Sequence, residues 1–65
     1  MELKDKVYLA SKVFDKGWDF ETFRYGDDAY HLSSEDIDDI WDMVDGIRED
    51  GMRAFREEYK DFKLY

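Results

Sequence analysis

The chain has 65 residues, no cysteine and no proline, 43% charged and 18% aromatic residues, and a formal net charge of −8. That length allows one domain, residues 1–65, close to the lower limit for folding without staples. The missing cysteine excludes disulfides and thiolate metal sites and leaves the redox compartment open. Two Trp, five Tyr and five Phe, each able to bury roughly 150–250 Å², supply a small core and argue against disorder.

The first predicted element places Leu3, Val7, Ala10 and Phe14 at 4-3-4 spacing, with Lys4, Lys6, Lys12 and Lys16 around them. This is an amphipathic helix of about three turns, ended by Gly17 in the left-handed C′ position. Residues 18–33 (WDFETFRYGDDAYHLS) change character, with aromatics on either side of a Gly26-Asp27-Asp28 turn signal. They read as a short β-hairpin in which an Asp27-Asp28 turn pairs Tyr25 with Tyr30 and Phe23 with Leu32. A Gly26-Asp27 turn shifts that register, and a short helix over Phe20–Tyr25 competes with the hairpin.

From Ser33 onward the pattern is helical. Ser33 or Ser34 caps, Glu35 and Asp36 occupy the first turn, and Ile37, Ile40, Trp41, Val44 and Ile47 form an apolar stripe. Met52, Phe55, Tyr59 and Phe62 form a second stripe after Asp50-Gly51. Two helices broken there are expected, with one long helix kinked near Gly51 as the alternative. The predicted fold class is therefore α+β: N-terminal helix, short hairpin, two C-terminal helices. An all-α small bundle is the alternative.

Charge is distributed unevenly. Residues 27–50 hold ten of the eighteen acids and one base, Arg48, while the flanking segments are nearly balanced. On a helical wheel Glu35, Asp38, Asp39, Asp42, Asp45 and Glu49 share a sector of about 120° opposite the apolar stripe. Six charges over fourteen steps give one per about 3.5 Å, near the ~3.4 Å spacing along one strand of B-DNA. Three like-charge i,i+4 pairs and three i,i+3 pairs repel by roughly 1–3 kcal/mol in total at low salt. Interspersed lysines would give the same solubility without that cost, and four of the six acids are Asp, a poorer helix former than Glu. The pattern therefore points to an anionic binding surface, extended by Asp27 and Asp28 at the turn.

Signals for chemistry are absent. His31 is the only histidine, and no nucleophile elbow, glycine-rich phosphate loop or H-E-x-x-H motif occurs. No frame around Gly26, Gly46 or Gly51 satisfies an EF-hand calcium loop. No catalytic, cofactor or metal residue is expected. The N-terminus lacks a continuous apolar stretch, and no run approaches a membrane span, so the expected location is cytoplasmic. A negative surface also disfavours direct contact with nucleic acid or anionic membranes.

In composition the chain resembles the short, acidic, cysteine-free proteins by which phages and mobile elements disable host nucleic-acid machinery, a similarity that covers no alignable motif. The resemblance and the charge pattern together lead to a non-enzymatic DNA-mimic inhibitor. Asp27, Asp28, Glu35, Asp38, Asp39, Asp42, Asp45 and Glu49 would occlude the basic groove of a nucleic-acid-binding protein. Such a target could be a CRISPR effector, a restriction enzyme, RNA polymerase or a nucleoid protein. The alternative is a small adaptor or regulatory subunit that binds a partner, or a second copy as a homodimer, through exposed aromatics. Trp18, Tyr8 and Phe62 are its candidate anchors.

Overall fold

The computed structural model describes all residues, Met1–Tyr65. It contains four helices and no strand: α1 (Leu3–Lys16), α2 (Phe20–Arg24), α3 (Ser34–Asp50) and α4 (Met52–Glu58). The α+β expectation is overturned in favour of the all-α alternative.

Helix α1 ends as its sequence requires. Gly17 adopts φ 69° and ψ 26°, and the N–H groups of Gly17 and Trp18 donate to the carbonyls of Phe14 and Val13 at 3.1 and 3.2 Å. This is a Schellman closure, and a residue with a Cβ would be strained in it. Leu3, expected on the apolar stripe, is 48% exposed. The buried side of α1 is Val7, Ala10, Ser11 and Val13.

The hairpin is replaced by α2 and a series of turns over residues 25–32. Asp19 caps α2 by accepting from the Thr22 N–H at 2.8 Å. Hydrogen bonds from the Thr22 side chain and backbone hold the Asp19 carboxyl below its ordinary pKa. Phe20 and Phe23, three residues apart and so on one helix face, both lie against Trp41, with ring centroids 5.2 and 6.3 Å away. The cross-strand pairing of Phe23 with Leu32 and Tyr25 with Tyr30 does not exist. Phe23 is fully buried, whereas Tyr25 and Tyr30 are 76% and 75% exposed. An isolated two-stranded hairpin is marginal in water, while one helical turn places both phenylalanines on the core. The turn signal itself has a different cause: a Cβ at Gly26 would lie 2.9 Å from the Thr22 carbonyl oxygen.

Ser33 caps α3, accepting from the Asp36 N–H at 3.2 Å. Helices α3 and α4 are separated at Gly51, where φ is 91° and ψ 155°, a conformation that L side chains rarely adopt. Lys6 meets Asp36 and Asp39, while the Trp18 carbonyl faces Arg48. Start therefore meets start and end meets end, so α1 and α3 run parallel. Such a connection needs a crossover, which the segment 18–33 supplies. The core joins Val7, Ala10 and Val13 of α1, Phe23 of α2, Ala29 from the turns after α2, Ile37, Ile40, Val44 and Ile47 of α3, and Phe55 of α4. No helix is long and apolar enough to cross a membrane.

Candidate functional site

Helix α3 turns Ile37, Ile40, Val44 and Ile47 inward and so carries its carboxylates outward by helical periodicity. Glu35, Asp38, Asp42, Asp45 and Glu49 are all exposed. At 100° per residue they occupy a sector of about 80° and extend about 21 Å along the axis. Arg48, the one base in this segment, faces away from them. Its guanidinium lies 4.9 Å from the Trp41 ring and donates to the Trp18 carbonyl at 3.4 Å. It approaches the carboxylate row at Asp45 alone, at 3.7 Å.

The other three residues expected on this surface are placed differently. Asp39 sits at the edge of the sector and accepts from the Lys6 ammonium at 2.5 Å. Asp36 lies 3.6 Å from the same ammonium. That hydrogen bond to Asp39, aided by both negative charges and opposed by desolvation, raises the Lys6 pKa. Asp28 pairs with Lys12 of α1 at 2.7 Å, and its hydrogen bond likewise raises the Lys12 pKa. Asp27 is exposed in the turn beside it. Asp28 is therefore joined to α1, and Asp39 is half engaged at the α1–α3 seam. Glu35, Asp38, Asp42, Asp45 and Glu49 form the exposed acidic face, and of these Asp45 alone lies near a base, Arg48.

The aromatic anchors expected from sequence each pack partly on the protein itself, and Tyr8 and Phe62 also line an open groove with Lys4, Asp5, Asp61 and Lys63. Trp18 is half-buried against the core, with the Lys12 ammonium 5.7 Å from its ring. Tyr8 meets Tyr65 edge to face at 6.0 Å, and Phe62 packs on Tyr59 at 5.4 Å. The most exposed aromatics are instead Tyr25 and Tyr30. With Arg24, Leu32, Ser34 and Ile37 they line a shallow cavity, on the flank of α3 next to Glu35 and Asp38. Their exposure was hidden in the sequence by the hairpin pattern, which placed them on an apolar face.

A second feature legible only in outline is Gly46, an isolated glycine inside a helical pattern. It lies in a depression between α3 and α4 with Met43, Asp50, Ala54, Phe55, Glu58 and Tyr59. Burial, and then the neighbouring Glu58, push the Tyr59 hydroxyl above its ordinary pKa. His31 is exposed and stacks edge to face on Tyr30 at 5.3 Å. No group of three or more His, Asp or Glu side chains is placed to hold a metal ion. Comparison with family models, with curated proteins and with solved structures gives no match.

Proposed function

We propose that the chain is a non-catalytic binding module, an adaptor or inhibitor that docks on a basic surface of another protein. The observation that carries this reading is the α3 face: five exposed carboxylates within about 80°, with the nearby lysines committed to Asp36, Asp39 and Asp28 instead. A one-sign surface selects partners by long-range attraction and speeds their encounter. Its most specific form is a DNA-mimic inhibitor that lays α3 along the Lys/Arg-lined groove of a nucleic-acid-binding protein, where the carboxylates replace phosphates of one strand.

A second reading is favoured by Tyr25 and Tyr30, which stay 76% and 75% exposed with Arg24 over the first ring and His31 edge to face on the second. Tyrosine is enriched among residues that dominate binding energy. In this form the module docks through the aromatic pair, and the charges set rate and orientation.

Capture from bacterial lysate at ~50 and ~300 mM salt, across one Debye-length regime, tests both. The baits are wild type, Asp38→Lys/Asp42→Lys/Asp45→Lys and Tyr25→Ala/Tyr30→Ala. A nucleic-acid-binding protein retained at low salt and released by high salt, by the lysine variant and by added DNA is the expected result for the mimic. A partner that survives high salt and the lysine variant but not the tyrosine variant is the result for the aromatic adaptor. Capture unaffected by either variant overturns both forms.

A further inference from the structure

Between α3 and α4 lies a notch of about 110 Å³ lined by Met43, Gly46, Ala54, Phe55 and Tyr59, with Asp50 and Glu58 also lining it. Gly46 is responsible for its opening, and nothing in the fold demands that glycine. A Cβ at position 46 would meet no atom within 4 Å. Positive φ values are confined to Gly17 and Gly51, so the Gly46 backbone suits any L residue. Glycine is nonetheless the poorest helix former after proline, and here it stands inside the longest helix of the molecule.

Position 46 also has a particular charge environment. Asp42 and Glu49 stand about one turn before and after it on the exposed face, while Asp50 and Glu58 lie on the α4 side. The notch thus has an apolar floor lined by two carboxylates, Asp50 and Glu58, and helical spacing sets Asp42 and Glu49 one turn to either side of Gly46. A cavity of roughly 150 Å³ holds a benzene ring, so this one suits a single leucine-sized side chain.

We propose that the notch seats one aliphatic side chain of a basic amphipathic helix, whose Lys or Arg residues one turn away pair with Asp42, Glu49, Asp50 and Glu58. The proposal rests on the reading of α3 as the face for a basic partner, and it adds the partner's secondary structure and anchor. Helical form follows from spacing. Two helices laid side by side share a pitch of about 5.4 Å, so cations one turn from the anchor meet carboxylates one turn from the notch. Same-face residues of an extended strand are about 6.8 Å apart and drift out of step along the row.

The test uses fluorescence anisotropy with a labelled Leu/Lys amphipathic peptide of about 18 residues, long enough to become helical, and its Ala/Lys counterpart of equal charge. Wild type should bind the Leu/Lys peptide about 10-fold or more tightly, the effect of burying one leucine. Gly46→Leu should remove that preference while melting at or above the wild-type temperature by circular dichroism. Gly46→Ala, a smaller filling, should reduce it in part and serves if the leucine variant does not fold. Equal binding of the two peptides to wild type, or a preference unchanged in both Gly46 variants, overturns the notch and leaves the charged face standing. Binding that is absent, or indifferent to Asp38→Lys/Asp42→Lys/Asp45→Lys, overturns the notch together with the basic-partner reading beneath it.

Discussion

Ser11 is the one polar residue in the buried set, 2% exposed, and its hydroxyl is fully used. It donates to the Tyr8 carbonyl at 2.7 Å and accepts from the Tyr65 N–H at 2.8 Å, so it fastens the segment after α4 to the face of α1. Ser11→Ala removes the α1 acceptor for the Tyr65 N–H and should cost about 1 kcal/mol, the net worth of a typical hydrogen bond. Urea denaturation measures it, and proteolysis near Leu64 should accelerate in parallel. Lys6 does comparable work on the opposite side, between Asp36 and Asp39. Its pKa is raised above the ordinary 10.5, chiefly by the hydrogen bond to Asp39. A raised folded-state value means that the stabilisation is complete below 10.5 and is lost as pH climbs through the raised value. The melting temperature should therefore fall in that alkaline range, and less steeply in Lys6→Gln. Lys12 with Asp28 and Lys16 with Tyr65 shift in the same direction, so a remainder of the fall should persist in the variant.

At the scale of elements, Gly46 inside α3 and Gly51 at the α3–α4 junction should respond to alanine with opposite signs. Gly51 holds φ 91°, and forcing a Cβ there should cost about 1–3 kcal/mol. Gly46 is in ordinary helical backbone with open space around its α-carbon, so Gly46→Ala should stabilise by about 0.5–1 kcal/mol. Guanidinium unfolding of the two variants side by side checks the pair. These positions also mark what could be read from the sequence. Gly17, the Ser33 cap and the Ile37–Ile47 stripe act through neighbours three or four residues away, and local spacing reveals them. The crossover from α1 to α3 does not reveal itself so directly. Its aromatic alternation fitted a hairpin, and what decides for α2 is that Phe20 and Phe23 both reach Trp41, a contact about twenty residues distant. The candidate surface divides the same way. Five carboxylates follow from helical periodicity, whereas the loss of Asp28 and Asp39 to ion pairs depends on α1 being parallel to α3, and the Tyr25–Tyr30 exposure depends on the missing hairpin.

For the whole molecule, the consequence of concentrating negative charge is a conflict between stability and recognition. The core is small, and a domain of this size holds only ~3–5 kcal/mol in reserve. Within the exposed row, Asp38–Asp42 and Asp45–Glu49 are i,i+4 like-charge pairs, and Glu35–Asp38 and Asp42–Asp45 are i,i+3 pairs, each destabilising by ~0.2–0.5 kcal/mol at low salt. Screening removes most of that repulsion as the Debye length shrinks from about 30 Å at 0.01 M to about 3 Å at 1 M. Added sodium chloride should therefore raise the wild-type melting temperature over this range. Asp42→Lys converts the Asp38 and Asp45 neighbours from repulsive to attractive, so it should melt higher than wild type at low salt and show a flatter salt response. The gap between the two proteins should narrow as salt increases, because the charge interaction is screened, leaving the smaller salt-independent gain of Lys over Asp as a helix former. Differential scanning calorimetry at several ionic strengths separates this from a local change in helix propensity, which would give a salt-independent offset. If the offset is constant, the row of acids carries no self-repulsion. The charge face would then be a feature the fold tolerates freely, and its selection of a basic partner would have to be argued from binding alone.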